Sequence, residues 1–527
     1  MGFPPEGFYL PAPAGEFGRG GPGRLYFTVM VELDGHTLTP QAAARVMLAG
    51  EGVRASPDAL SRVSESHRRL LVRISQGGPI YGVSTGFGKL SRVSIPPEDF
   101  GALQENVVRS HAAGVGAPLS DEAVRGMLLF RANSLLKGLS GVRPEVIELL
   151  LGMLNAGVYP VVPEQGSVGA SGDLVPLAHL SLVLLGEGRA RFRGEELPGE
   201  EALRRAGLSP LSGLAPKEGL ALLNGTSYML SLTTLAWALG RRAFQAALLS
   251  SSLTFQALRG STAPLDERLH EARPHPGQIK VARKLRELLS GSSLTDSWKG
   301  DVQDPYSLRC LPQLLGPVLE ALLWVEERLR IEMNSATDNP LIFPDGEVLP
   351  GGNFHGEILA FSAEALAVAL AELGAGCERR MSLLLSAEER GLPPFLSPEA
   401  GPSSGLMLLQ YTAASLTAEN KVLSHPAAVD SIPTSAGKED HNSMGATSAW
   451  KALRIAENVI SQVALELTCA RWAVALAGEE GLSPATKAPY ERLSQLVPPP
   501  GPDRYLGEAI AKVREAVRSG EVSVGGL

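Results

Sequence analysis

The stretch VLEALLWVEERLRIEM, Val318 to Met333, decides the fold. Val318, Leu322, Val325 and Leu329 recur at helical spacing on one face, and Glu326, Glu327 and Arg330 fall on the others. That is a helix with one stripe turned to a core. Outward from it, apolar helical segments are expected over about 219–259 and 355–390. Gly219 to Gly240 carries no charge and is long enough to span a bilayer. It also holds Asn224, Thr226, Ser227, Ser231, Thr233 and Thr234, and no basic cluster marks one side, so a buried core helix is expected instead. Toward the N-terminus, TPQAAARV (39–46) and SPDALSRV (56–63) each place Thr or Ser before helix formers, the signature of an N-cap. GGPIYGVSTGFGKLS (77–91) is too rich in glycine for an element and reads as a loop. Helical signal returns over about 97–157 and stops at VYPVVPEQGSVGASGD (158–173). Alternating, strand-like runs are few: VMVEL at 29–33 and ARFRGEEL at 190–197.

With no βαβ rhythm and no fixed repeat, the expected fold class is mainly α, a long-helix bundle with an N-terminal region of glycine-rich loops. The expected division is a Gly/Pro-rich flexible extension at 1–30, an N-terminal domain at 31–235, a central long-helix bundle at 236–480 and a C-terminal helical tail at 481–527. Met30, just before the globular pattern begins, is the expected functional start.

Composition narrows the function classes. The chain has 527 residues, 44% hydrophobic and 20% charged, with a net charge of −8. That argues against nucleic-acid binding, which usually brings a basic excess. Cys310, Cys377 and Cys469 lie far apart and offer neither a disulfide framework nor zinc spacing, so a reducing, cytoplasmic compartment is expected. The N-terminus lacks the basic and apolar regions of a secretory signal. There are 11 Lys against 37 Arg, and only 10 Asn and 12 Gln. Scarce amides suit a heat-adapted source, and they make an asparagine inside a short motif less easily dismissed as filler.

Several motif matches fail on context. Gly82-Val83-Ser84-Thr85-Gly86 fits G-x-S-x-G but lacks the strand, helix and parallel sheet of a serine hydrolase. Gly86-Phe87-Gly88-Lys89 resembles the end of a Walker A loop without its first glycine or its Ser/Thr. His270 and His275 have the wrong spacing for a zincin, and His179, in an apolar stretch, reads as a satisfied core histidine.

PEQGSVGASGDLVPL (163–177) is different: six of its first ten residues are Gly, Ala or Ser, followed by an acid and an apolar helix. Small residues permit a tight, crowded turn, and helix amides aimed at it favour negative charge there. Alone, the segment is also compatible with a plain helix-entry loop N-capped by Asp173.

Its company decides. The chain resembles the aromatic amino-acid ammonia-lyases that use a 4-methylideneimidazol-5-one (MIO) group, and among them the histidine ammonia-lyases. The resemblance runs from about Val31 to at least Val497. It rests on YGVSTGFG (81–88), LQENVVRSHAAGVGAPL (103–119), GSVGASGDLVPLAHL (166–180), LALLNGT (220–226), ARPHPGQ (272–278), VQDPYSLRC (302–310), NSATDNPL (334–341), GGNFHGE (351–357) and IPTSAGKEDHNSMG (432–445).

The resemblance implies that the N-terminal domain carries an MIO loop in which Ala170, Ser171 and Gly172 cyclise unaided. The Gly172 nitrogen attacks the Ala170 carbonyl, two waters leave, and Asp173 assists. Glycine leaves that nitrogen unhindered, and serine supplies the hydroxyl that is lost. It further implies Tyr81 as the base for the β-proton, Arg309 as the clamp on the substrate carboxylate, and Asn224, Gln303 and Tyr306 as polar residues around the MIO and the substrate. Phe354 is implied as an aromatic lining. Ser110-His111 and Glu439 match the histidine branch, with Glu439 accepting from the imidazole. Elimination of ammonia from L-histidine, giving trans-urocanate, is therefore expected, with another aromatic ammonia-lyase or aminomutase acting on tyrosine or phenylalanine as the alternative. No metal, diffusible cofactor, nucleic acid or membrane is implied. A homotetramer with shared sites is implied. A fumarase- or aspartase-type lyase is disfavoured because its GSSxMPxKxN signature is missing. The chain departs from the family pattern at Lys438 and Leu311, both usually glutamine, at Ile358 for proline, and at Asn442 for valine.

Overall fold

A computed structural model describes residues 30–399 and 401–526. The extension expected at 1–30 lies outside them except for Met30. Four long helices form the centre: Ser227–Ala257, Leu311–Glu332, Glu357–Leu384 and Gly445–Ala477. Gly445–Ala477 packs along both Ser227–Ala257 and Glu357–Leu384, and Leu311–Glu332 closes the group. Val318, Leu322, Val325 and Leu329 are buried, as their spacing predicts, while Leu323, Trp324 and Arg330 face outward. The uncharged run at 219–240 is buried throughout. Two of its hydroxyls are satisfied by carbonyls: Thr233 Oγ1 donates to Met229 O one turn back (2.8 Å) and Ser231 Oγ to Ala123 O on another helix (2.6 Å).

Three of the central helices are tied by a buried ion pair. Arg380 donates through Nε and Nη2 to Glu466 (2.6 and 2.8 Å), whose oxygens also accept from Ser250 and Thr254. Such a pair favours one packing register over others more than it adds stability. Glu357–Leu384 and Gly445–Ala477 are apolar and long enough to cross a membrane. Gly445–Ala477 is 83% buried in its most apolar stretch and Glu357–Leu384 only 56%, which leaves an apolar face with Phe361 and Val368 at the surface.

Two expectations need correction. The boundary at 235/236 falls inside the continuous Ser227–Ala257 helix, whose buried residues on both sides leave no linker. The run at 190–197 is a hairpin, with Arg189–Phe192 paired antiparallel to Glu195–Pro198. Its turn residues Arg193 and Gly194 both have positive φ (51° and 83°), the geometry of tight hairpin turns. The expected caps are present: Thr39 Oγ1 accepts from Ala42 N–H and Ser56 Oγ from Ala59 N–H. His179 is a satisfied histidine, its Nε2 accepting from Gly114 N–H (3.0 Å).

Candidate active site

After the short strand Pro163–Gln165 the chain enters a crowded loop before the Leu174–Leu184 helix. Gly172 has φ +72°, and a Cβ there would lie 2.4 Å from the Gly225 carbonyl oxygen, so only glycine fits. The same carbonyl accepts from Asp173 N–H (2.8 Å). On the other side, Met444 N–H donates to Val168 O (2.9 Å) and Ser443 Oγ to Gly169 O (3.1 Å). The loop is thus clamped from two distant parts of the chain.

Asp173 does not cap its own helix. Its buried carboxylate accepts from Tyr228 and Met229 N–H (3.0 and 2.9 Å), the first turn of Ser227–Ala257, and from Ser167 Oγ (2.9 Å). The helix amides aimed at the loop belong to that later helix. Burial pushes the Asp173 carboxyl up to about 7, against the opposing pull of these donors and of buried Arg131.

Ser171 is held at both ends. Asn224 Nδ2 donates to its carbonyl (2.6 Å), and its own hydroxyl donates to Glu439 Oε1 (2.7 Å). Asn224 Oδ1 is buried with no partner among the described residues. The second Glu439 oxygen accepts from Thr434 Oγ1 (2.6 Å). Asn442 closes the same loop, donating to Ile432 O (2.5 Å) and Thr434 Oγ1 (3.2 Å). The residue that departs from the family pattern therefore steadies Glu439. Lys438 is exposed, and among the described residues no ion pair joins it to Glu439.

Tyr81 lies in the glycine-rich loop, where its hydroxyl accepts from Gly88 N–H (3.0 Å) and Phe87 meets its ring edge-on. A Cβ on Gly88 would lie 2.6 Å from Ser435 Oγ, so this loop adjoins the one carrying Glu439. Gln104, buried and given no role by the sequence reading, pins the Tyr81 loop. It donates to Gly82 O (2.8 Å) and accepts from Leu220 N–H (3.1 Å). Ser110 and His111 end the Phe100–His111 helix, 3.0 Å apart at Oγ and Nδ1. Burial holds His111 below the usual imidazole range, while the Val107 backbone and the charge of the Glu439 carboxylate pull the other way. Phe354 is half-buried; the next residue, His355, donates through Nε2 to His441 O (3.0 Å), near the Glu439 loop.

Gln303, Tyr306 and Arg309 stand apart. Arg309 Nη1 donates to Gln303 Oε1 (2.6 Å), and its guanidinium lies 4.8 Å from the centre of the Tyr306 ring. Tyr306 is 70% exposed, and no hydrogen bond among the described residues joins these three to Ser171, Asn224 or Glu439. One chain brings together Tyr81, Ser110, His111, Ser171, Asn224 and Glu439, but not the expected carboxylate clamp.

This fold, with a strained small-residue loop clamped against a buried acid and an asparagine, corresponds to a known class. Residues 38–495 match the family described as aromatic amino acid lyase, and the chain belongs to that family. A histidine ammonia-lyase of Geobacillus thermodenitrificans is 49% identical over 486 residues, 92% of this chain and 96% of that protein. The solved histidine ammonia-lyase of Trypanosoma cruzi has a TM-score of 0.87 at 39% identity, covering 94% of each chain. The tyrosine aminomutase of Streptomyces globisporus has a TM-score of 0.89 at 38% identity, covering 94% of this chain and 98% of that one. Backbones this alike do not separate substrates; side chains must.

Proposed function

We propose that the chain is a histidine ammonia-lyase, converting L-histidine to trans-urocanate and ammonia with an MIO group formed from its own Ala170-Ser171-Gly172. The observation that carries the reading is the Glu439 carboxylate, which accepts from the Ser171 hydroxyl through one oxygen and whose charge acts on His111. Glu439 is half-buried, and loss of the Ser171 hydroxyl on ring closure would free its Oε1; an imidazole ring offers that oxygen an N–H, whereas a phenyl ring leaves it unpaired. The residues fit the group: Gly172 has no side chain to shield its nitrogen, and Asn224 already holds the Ser171 carbonyl while its own Oδ1 is unpartnered. When present, MIO supplies an electrophile that no natural side chain provides and makes ammonia a better leaving group.

Asp173, poised near neutrality, takes and returns protons during maturation. Tyr81 receives the β-proton at its phenolic oxygen, held in place by Gly88 N–H. Ser110 and His111 frame the imidazole, and Phe354 lines its pocket. Arg309 binds the substrate carboxylate with its fork of donors, assisted by Gln303 and Tyr306. Because Gln303 and Tyr306 are exposed, Arg309 is half-buried, and no hydrogen bond among the described residues joins the three to Ser171, we take neighbouring copies to complete each site, as in a homotetramer. The apolar surface of Phe361 and Val368, with Trp324 and Tyr411 on other helices, supplies area for such contacts. The reading needs no metal or diffusible cofactor and suits a reducing cytoplasm, since the three cysteines are free. The aminomutase likeness favours a second reading, action on tyrosine. Urocanate release by the purified protein from L-histidine, detected by ultraviolet absorbance, tests the first; no urocanate while coumarate accumulates from L-tyrosine favours the second.

A further inference from the structure

Behind the MIO-forming loop lies a cation that neither the sequence nor the mechanism above uses. Arg131, on the Asp121–Leu135 helix, is completely buried. Its Nη1 donates to the Asn224 carbonyl (2.7 Å), and its Nη2 to Ser134 Oγ (2.8 Å) and, at 3.5 Å, Thr337 Oγ1. Its Nε has no partner, and no carboxylate lies within ion-pair distance among the described residues. A buried charge without a counter-ion in contact is unfavourable for stability, so folding alone does not explain it. What it touches does. A Cβ on Gly225 would lie 2.3 Å from Arg131 Nη1, and a Cβ on Gly172 would lie 2.4–2.6 Å from Gly225 backbone atoms. Guanidinium, Asn224–Gly225 backbone and Ser171–Gly172 backbone are three layers in contact.

We propose that Arg131 is a positioning residue for ring closure: its guanidinium locks the Asn224–Gly225 segment, and that segment folds Ser171 and Gly172 into the closing conformation. The proposal rests on the MIO reading above. Closure forms the bond from Gly172 N to Ala170 C. The Ala170 carbonyl oxygen leaves as water with the amide protons of Ser171 and Gly172, and the Ser171 hydroxyl leaves as a second water with its Cα proton. No oxidant is needed. The layers act on geometry through Asn224 Nδ2 at the Ser171 carbonyl and Gly225 O at Asp173 N–H. They also act on charge. Arg131 opposes the upward push of burial on Asp173, Tyr228 and Ser167 face the same carboxylate, and the charges of the Lys217–Asp338 ion pair act on Arg131.

The test follows dehydration of the full-length chain by intact-mass spectrometry, sampled at intervals after a pulse of cell-free synthesis and repeated across pH. Wild type loses two waters. Arg131→Lys keeps the charge and loses the fork; it dehydrates about tenfold or more slowly, as small misplacements do in ring-closing geometry, with an unchanged pH profile. Arg131→Gln also loses the charge, so its profile moves to higher pH as Asp173 is left without the cation. If that variant does not fold, Ser134→Ala serves: it removes one acceptor of the guanidinium, and dehydration slows a few-fold in a folded protein. Circular dichroism confirms folding in each case. Wild-type rate and pH profile in folded Arg131→Lys and Ser134→Ala overturn the proposal while leaving the MIO reading intact. A wild type that keeps its full sequence mass overturns that reading, and this proposal with it.

Discussion

Around Ser171 the chain closes on itself: Asn224, Glu439, Asp173 and the Gly225 backbone all come from this chain and are buried or half-buried. Around Arg309 it does not. The Gln303 and Tyr306 side chains meet that arginine, and Tyr306 stands 70% exposed. The first region is built for chemistry that one chain must carry out on its own backbone. On the function proposed above, the second is a surface that becomes a binding site when another copy covers it.

Ser171→Ala breaks the first region most severely. The loop keeps its clamps, so the fold persists, but no hydroxyl remains to eliminate, and we expect no mass loss and almost no turnover. Intact mass and urocanate release read both; a variant with substantial turnover would remove the MIO from the account. The same variant sharpens the contrast. Mixed with inactive Arg309→Ala chains during refolding, it should recover a measurable share of wild-type activity, since some sites then combine an intact Ser171 loop with an intact Arg309 from another chain. Mixtures no more active than their parents would return both regions to one chain.

Tyr81→Phe probes where the closed region meets substrate. Stability should fall by only about 1 kcal/mol, the worth of one hydrogen bond, while turnover falls by about two to three orders of magnitude. Denaturant midpoints and steady-state rates separate the two, and turnover above about a tenth of wild type would move the base role elsewhere.

Asp173→Asn has the smallest effect on the folded protein and the clearest sign. A carboxyl raised from about 4 unfolded to about 7 folded binds its proton more tightly in the folded state. The contribution of Asp173 to wild-type stability should therefore be fullest below pH 4 and be lost between pH 4 and 7, by at most about 1.4 kcal/mol per pH unit. Asparagine keeps the shape and an acceptor for Tyr228 and Met229 N–H but cannot titrate, so its urea midpoints should lack that slope. It should also mature slowly. Parallel wild-type and variant midpoints from pH 4 to 8 would show that Asp173 ionises like an exposed carboxylate.

Much of this was legible in the sequence because it is local. Helical period marked Val318 to Met333, and Thr39 and Ser56 announced their helices within three residues. The motif residues around Ser171 were recognisable as a set because the family resemblance supplied their relation. What stayed hidden depends on contacts between distant parts of the chain. Asp173 caps a helix whose Met229 is 56 residues on, and Arg131 reaches a carbonyl 93 residues away. Neither has a periodic or spacing signature. Gln104 and Asn442 act through backbone groups of other loops, which side-chain motifs do not encode. The hairpin at 189–198 was read as one strand because Arg193-Gly194 is a weaker turn signal than Asn-Gly or Asp-Gly. That Gln303 and Tyr306 stand at the surface beside Arg309 has no local signal, because surface position depends on how the whole chain packs.

The central claim is that the closed region reads an imidazole. It is tested most directly by measuring kcat/KM of the purified enzyme on L-histidine, L-tyrosine and L-phenylalanine, for wild type and Glu439→Gln, each with ultraviolet detection of its unsaturated acid. The account predicts that wild type prefers histidine by about a hundredfold or more. It also predicts that Glu439→Gln lowers that preference more than it lowers the fraction of chains that have lost two waters. Steady release of coumarate or cinnamate by the wild type, with no urocanate, would contradict it.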